Sequence, residues 1–269
     1  MRKEYRKAQA ITLGTVDYGE SDRIIDLYTL EYGRVSVIAK GARRSLKRFV
    51  GKLDPPTLLE VIYFNAPYGL SRLDSAELLD GFINIKQEVA TYARACYLLE
   101  LTREMTRAGQ VNEKFFELAK YFLETLGSGK ERGENLLRYF DIKALDLLGF
   151  LPHVEGCVVC RDLFGDGGGS VSSDIYFSSH KGGAICAGCV KPTEELTALS
   201  VGTARFLSTA ARMPNEKLKR LRPNQVFLRE GASVLEGFIK HLIGKEFKSA
   251  SFINKLGQNP ASAMNMKRY

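Results

Sequence analysis

The chain has 269 residues, 45% of them hydrophobic and 26% charged, with a formal net charge of +8. That is the composition of a globular protein with length enough for two cores. The basic start MRKEYRKAQA leads into no apolar stretch and no run approaches the roughly 18 apolar residues of a membrane span, so neither export nor membrane insertion is expected, and the expected location is a reducing cytoplasm.

Residues 9–80 read as β structure. QAITLGTVDY, DRIIDLYTL, RVSVIAKGA, TLLEVIYF and the stretch ending in LSRLDSAEL are short β-branched and aromatic runs. Turn signals at Tyr18-Gly19, Tyr32-Gly33, Gly41, Asp54-Pro55-Pro56 and around Tyr68-Gly69 separate them. Five strands without a crossover helix predict a small antiparallel barrel. The OB-fold, an oligonucleotide binder, is one such barrel, and an SH3-like barrel fits the pattern as well. Asp22 and Asp26 share a face of the second strand and are expected to pair with Arg23 or Arg34.

From about residue 82 the period becomes helical. Val89, Tyr92, Ala93, Cys96, Leu99 and Met105 mark one helix. Phe115, Leu118, Ala119, Phe122 and Leu126 mark a second, ending on Gly127 as C-cap, and ENLLRYFDIKALDLLGF marks a third, closed by Gly149. After a cysteine-bearing segment, ELTALSVGTARFLSTAAR and EGASVLEGFIKHLIGKEF repeat the apolar i, i+3, i+4 spacing, which is the ordinary signature of packing faces. The last 13 residues lack periodicity and read as a loose tail.

Five cysteines are present. Cys96 lies in a helical stretch and reads as an inert core residue. The other four form Cys157-Val-Val-Cys160 and Cys186-Ala-Gly-Cys189, two turns that each aim two thiolates at one point. Together they make the tetrahedral sulfur set that Zn2+ takes, with no position left open for a substrate, so one structural zinc is expected. Gly188 is expected to let the second turn close tightly. A redox pair would use a single C-x-x-C opening a helix. His153-Val-Glu155 beside Cys157-x-x-Cys160 resembles zinc-deaminase ligands, but one residue between the two elements cannot bring them together from separate helices. His153 and His180 read as loop residues. GDGGGS at 165–170 lacks the Lys-Ser/Thr end of a phosphate loop and reads as a flexible turn joining two small strands.

The 13 residues from Lys40 to Lys52 hold six cations, Lys40, Arg43, Arg44, Lys47, Arg48 and Lys52, and no anion. A run of this kind is often only a solvated loop. Here it follows a barrel strand and edges the groove where such barrels hold a nucleic-acid backbone. Charge is also uneven along the chain: net +2 over 1–80, −2 over 81–190 and +8 over 191–269. That clustering favours a polyanionic partner. With three histidines, no G-x-S-x-G, no Walker sequence and no H-E-x-x-H, the chain offers little from which to build an enzyme.

These pieces together resemble the RecO family of bacterial recombinational-repair proteins. The resemblance rests on Tyr18-Gly19-Glu20-Ser21-Asp22-Arg23-Ile24, Leu27-Tyr28-Thr29 with Gly33, and Ala39-Lys40-Gly41-Ala42-Arg43-Arg44. It also takes in the four cysteines with Gly182-Gly183, and Gly244-Lys245-x-x-Lys248-Ser249, so that it runs from about residue 8 to 256. It implies an α+β chain in which an N-terminal OB-fold (1–80) precedes a helical domain (81–152 and 191–256), with an inserted zinc module (153–190) and a tail (257–269). It implies binding of single- and double-stranded DNA, strand annealing, and replacement of single-stranded DNA-binding protein by RecA on gapped DNA, with RecR and in many bacteria RecF. It further implies a site for the acidic, apolar-ended tail of single-stranded DNA-binding protein. Arg205, Arg212 and Lys217 are the candidate cations for that site, and Phe206, Leu207, Leu235, Phe238 and Leu242 the candidate apolar walls. The rival readings are an OB-fold protein acting on ribosomal or transfer RNA and a metal-dependent hydrolase.

Overall fold

The computed structural model describes residues 4–45, 47–66, 68–129, 133–165 and 174–258. They form two compact units, Met1–Lys130 with Phe247–Tyr269, and Glu131–Glu246.

The first unit is built on five strands, β1 (Tyr5–Tyr18), β2 (Asp22–Thr29), β3 (Gly33–Ala39), β4 (Leu58–Phe64) and β5 (Ser71–Asp80), closed into a barrel in the order β1-β2-β3-β5-β4. β1 serves two neighbours: Tyr5–Ile11 pairs with β4 and Ala10–Tyr18 with β2. A register shift between Thr12 and Gly14 lets it bend from one to the other. The barrel is antiparallel as expected except at its closure, where Val37↔Ser71 and Ile38↔Arg72 pair in parallel. The chain passes from β3 to β4 through the basic loop before returning as β5, so the closing strands run the same way. Period-two alternation puts Ala8, Ala10, Ile25, Leu27, Val37, Ala39, Leu59, Val61, Tyr63, Leu73 and Ala76 inside. Phe49 and Leu53 of the basic loop join this core and are buried.

Two helices flank the barrel after the one-turn α1 (Ile83–Lys86): α2 (Val89–Met105) and α3 (Glu113–Gly127). The Asn112 side chain caps α3 by accepting from the Phe115 N–H at 3.0 Å. Tyr28, on the outer barrel face, packs its ring against Phe115 and Phe116. Burial pushes its phenol up to about 12. Gly127 is not the cap; the helix runs through it to Ser128, and the left-handed residue is Gly129. Gly33, at φ +65, is required for a second reason, since a Cβ there would meet the Gln110 carbonyl oxygen at 2.2 Å.

The second unit contains α4 (Gly133–Leu147), a three-stranded antiparallel sheet of β6 (Asp174–Ser178), β7 (Gly183–Cys186) and β8 (Thr197–Ser200) in the order β7-β6-β8, then α5 (Val201–Arg212) and α6 (Gln225–Ile243). The expected helix over 195–212 therefore begins as a strand. Thr197–Ser200 pairs with β6, and the Ser200 hydroxyl caps α5 by accepting from the Thr203 N–H at 3.2 Å. Periodicity carried on through Leu199 because a short strand and a helix both bury it. β6 and β7 join through Ser179–Gly182, while the glycine-rich turn expected between strands lies, beyond Gly165, outside the described residues. α4 buries charge: Arg138 lies 3.3 Å from Asp141 and 3.0 Å from Glu236, and Lys143 donates to the Ala211 carbonyl at 2.6 Å.

A seventh helix, α7 (Lys248–Gln258), returns to the first unit. The backbone N–H groups of Lys248 and Ser249 and the Ser249 hydroxyl all donate to the Glu100 carboxylate of α2. The expected helical domain already ran to residue 256, but the cap of this helix is a side chain 148 residues away. It reaches two residues into the expected tail, and the remainder of that tail lies outside the described residues.

Candidate metal centre and nucleic-acid interface

All four paired cysteines converge. The sulfur atoms of Cys157, Cys160, Cys186 and Cys189 lie within 4.8 Å of one another, and Cys160 Sγ is 3.8 Å from Cys186 Sγ. Sulfurs at tetrahedral corners about 2.3 Å from one ion are separated by about 3.8 Å, so this donor set fits a tetrahedral ion such as zinc. None of the four is in a disulfide. Burial pushes the Cys157 thiol up, but N–H donors from the Cys160, Cys186 and Val159 backbone outweigh it and bring the value down to about 6. The Asp162 N–H pulls the Cys160 thiol down, but burial and hydrogen bonds with the Cys157 and Cys186 sulfurs outweigh it and push it up to about 12; metal binding requires all four as thiolates.

Backbone pairing sets the two turns against each other. Cys157 N–H donates to the Asp162 carbonyl at 2.8 Å, Arg161 N–H donates back to Cys157 at 2.9 Å, and Arg161 turns the chain at φ 70. His153 N–H donates to the Gly182 carbonyl, while Val158 N–H donates to Ala184 and Ala184 N–H to His153, so the first turn is stitched to β7. The glycine that this packing requires is Gly183, where a Cβ would meet Val158 Cγ1 at 2.4 Å and the His153 carbonyl at 2.6 Å. Gly188 has no neighbour within 4 Å and no positive φ. Sequence spacing located the ligands but chose the wrong glycine, because the clash is with residues 25 and 30 positions upstream. Neither His153 nor His180 belongs to the sulfur cluster; the His180 ring instead faces His241.

The basic loop divides into two halves. Lys40, Arg43 and Arg44 lean on the acidic β1–β2 turn: Lys40 on Asp22 at 2.7 Å, Arg43 on Asp17 at 3.4 Å, Arg44 on Glu20 at 3.2 Å. Arg43 also donates to the Gly19 carbonyl. Asp22 is held below the usual carboxylate range by Lys40 and by the Gly41 N–H. The other half lies along β5, with Arg48 donating to the Leu73 carbonyl at 3.2 Å and Lys52 to Ala76 at 3.0 Å. Lys47 is exposed between the halves. Asp22 and Asp26 thus face Lys40 and Ser36, not Arg23 or Arg34. Arg23 goes to Asp17 and Asp54, and Arg34 to the Arg103 carbonyl. The acids facing the basic run were missed as a set, although DYGESD at a predicted hairpin tip was the available signal.

In the second unit Arg205 and Arg212 are exposed on α5, two turns apart, and Lys217 is exposed on the 3-10 turn Asn215–Arg220. Arg212 pairs with Glu155 at 2.5 Å, which Ser208 also contacts. Phe206, Leu235 and Phe238 are core residues and do not line an open site, Leu242 is half-buried, and Leu207, though buried, reaches one pocket wall. A small pocket of ≈ 120 Å³ does open beside Arg212, with Ile142, Leu151, Pro152, Leu207 and Ala211 among its walls.

The first unit is therefore a closed OB-like barrel edged by cations, and the second carries a four-cysteine cluster able to hold a metal ion. Comparison with known proteins gives the family. The model of the recombination protein O N-terminal domain matches residues 1–82 and that of its C-terminal domain residues 86–251. A DNA repair protein RecO of an Anaeromyxobacter species is 33% identical, covering 93% of this chain and 96% of its own length. The RecO of Myxococcus xanthus is 33% identical over 92% and 96%, and that of Caldanaerobacter subterraneus 29% over 94% and 98%. The chain belongs to the RecO family of DNA repair proteins. No helix among its described residues is long and apolar enough to cross a membrane.

Proposed function

We propose that this protein is a DNA-binding recombination mediator that works by binding and not by covalent chemistry. It would act in the bacterial cytoplasm, at the nucleoid, annealing single strands and helping to replace single-stranded DNA-binding protein with RecA on gapped DNA, in company with RecR and RecF. The observation that carries the reading is the cationic barrel edge within a family match over residues 1–82 and 86–251. Lys40, Arg43, Arg44, Lys47, Arg48 and Lys52 are the residues assigned to phosphates. The ion pairs of Arg43 and Arg44 are solvent-exposed and cost little to exchange for a phosphate. Contacts confined to the backbone leave base edges open for pairing, as annealing demands.

The ion at Cys157, Cys160, Cys186 and Cys189 is assigned as one structural Zn2+ per chain. When bound it supplies a cross-link between the two turns.

Arg205, Arg212 and Lys217 are assigned to the acidic tail of single-stranded DNA-binding protein. The apolar pocket beside Arg212 supports this, since an apolar tail end can fill it while Arg212 meets a carboxylate. The test uses the intact protein with strands coated by single-stranded DNA-binding protein. Wild type should anneal them, and Arg212→Glu with Lys217→Glu should lose coated-strand annealing and tail-peptide anisotropy while annealing of bare strands persists. Equal annealing of coated strands by both proteins would remove the tail assignment; no annealing of bare strands by wild type would remove the mediator reading.

A further inference from the structure

A cavity of ≈ 770 Å³ opens in the second unit between the β6–β7 turn, the segment leading into β8 and the last turns of α6. No cysteine lines it, and neither do the cations assigned to DNA or to an acidic tail. Two of the chain's three histidines do, His180 from the turn and His241 from the helix.

Packing brings the two rings opposite each other. Phe177 of β6 and Phe238 of α6 are buried and meet edge to face, their centroids 5.6 Å apart. His180 and His241 come three residues further along each element, which on α6 is the same face one turn on. The turn itself is tight: the Lys181 N–H donates to Ser178 Oγ at 3.3 Å and the Gly182 N–H to the Ser179 carbonyl at 3.3 Å. The centroids of the two imidazoles are 6.0 Å apart. One nitrogen of each ring at zinc-ligand distance from a shared ion sets the centroids about 5–6.5 Å apart, according to the angle at the metal. The observed spacing falls in that range.

Charge identifies the occupant. Glu194, on the same wall, pairs one carboxylate oxygen with Lys181, while its Oε2 is buried without a hydrogen bond. Such an acceptor is costly to leave unmet, and a bound cation meets it. Glu195 lines the cavity as well, and α6 ends there at Gly244, presenting the carbonyl end of its dipole. The two lysines of the wall are already engaged, Lys181 by Glu194 and Lys240 by Glu246 at 2.5 Å. Imidazoles joined by a carboxylate select a divalent transition ion, whereas magnesium and calcium take oxygen alone. Among the described residues the four sulfurs are the one such set already within 4.8 Å of one another, so here the ion must gather its donors. Both rings are exposed and can turn about their side-chain torsions to do so.

We propose that His180, His241 and Glu194 form a second metal site, separate from the sulfur cluster, for a divalent transition ion such as Zn2+, Co2+ or Ni2+. Water fills the remaining positions, as three protein ligands leave the coordination open. The ion clamps the β6–β7 turn onto α6, and so steadies the strand that carries Cys186.

The test titrates Co2+ into untagged, zinc-loaded, full-length protein without oxygen. Cobalt held by imidazole and carboxylate gives weak visible bands, whereas cobalt held by thiolates adds an intense near-ultraviolet charge-transfer band. Wild type should take up one cobalt with the weak bands alone and keep its zinc. His180→Ala and His241→Ala should each weaken that uptake by at least about tenfold, a scale that even outer-sphere partners of a metal reach. Glu194→Gln should weaken it too, and zinc content should hold in all three variants. Cobalt should also slow hydrogen exchange at residues 178–182 in wild type and not in His241→Ala. No cobalt beyond any that shows the thiolate band, or equal uptake by wild type and both histidine variants, would overturn the second site. Neither result bears on the sulfur cluster, whose band reads separately, or on the DNA-binding reading.

Discussion

The barrel and the cysteine module solve the same problem, holding short strands together, by different means. The barrel closes on itself and buries a continuous apolar set, from Ala8 on β1 to Ala76 on β5, with Phe49 and Leu53 of the basic loop as plugs. Its most charged segment is thereby pinned by its least polar residues. The cysteine module has two short strands, β6 and β7, with Val154, Phe164, Ile175, Phe177 and Ile185 buried, and its first turn adheres to β7 through backbone hydrogen bonds and the sulfur cluster. The barrel is held by burial that water drives; the module adds to its smaller buried set four sulfurs able to hold a metal ion.

The widest separation between the two should come from the metal. Cys157→Ser, or chelation, should remove one zinc per chain and unfold the module, because structural zinc contributes roughly 10–16 kcal/mol of apparent binding energy in small modules. Hydrogen exchange should rise in 153–190 and stay protected in β1–β5. A wild-type protein that is fully folded, metal-free and oxidised at its cysteines would show that sulfur–sulfur bonds, not an ion, hold the turns.

The opposite perturbation targets the barrel edge and spares its fold. Replacing Arg43, Arg44, Lys47 and Arg48 with Ala should lower single-stranded DNA affinity for every sequence. The slope of log affinity against log salt should fall by about 0.7 per lost contact. Zinc content and melting should hold, since the plugs Phe49 and Leu53 remain. Unchanged slope would move the DNA surface to the basic last third of the chain.

A smaller effect belongs to α5 in the second unit. Burial pushes the Glu230 carboxyl up, but the Ser200 N–H and the Ser200 and Thr203 hydroxyls donate to it, outweigh burial and hold it below its usual value. A carboxylate lowered in the folded state stabilises above its unfolded pKa, and that contribution is lost as pH falls through the lowered value. Glu230→Gln should therefore cost about 1 kcal/mol near neutrality and flatten the acid limb of stability between the two values. An acid limb identical to wild type would assign it to other carboxylates.

The smallest expected effect sharpens the account of the basic loop. Glu20 competes with phosphate for Arg44 across an exposed pair. Glu20→Gln should raise single-stranded DNA affinity by no more than about fivefold, the limit set by such pairs, without touching stability. Weaker binding in this variant would mean that Glu20 orients Arg44 and does not compete for it.

Much of this molecule was written locally. Turn residues and β-branched runs marked all five barrel strands, the C-x-x-C pairs marked the metal ligands, and 3.6-residue periodicity marked α2 through α6. What escaped was set at a distance. α7 has a cap on Glu100, Gly183 is required by Val158 and His153, and β8 is a strand only because β6 lies beside it. The cations of 40–52 were plain as charges, but their acidic partners and their anchorage on β5 required the barrel to close.

The sequence by itself determined the barrel, the helices, the sulfur set, the excess charge and the family, because strand and helix periods, turn chemistry and ligand spacing act within a few residues. Tertiary structure alone decided which side chains meet. His180 and His241 lie on a turn and a helix far apart in the chain, and only the packing of Phe177 on Phe238 sets their rings opposite each other. Packing is a property of pairs of elements, fixed by which faces can be buried together, and no single segment carries it.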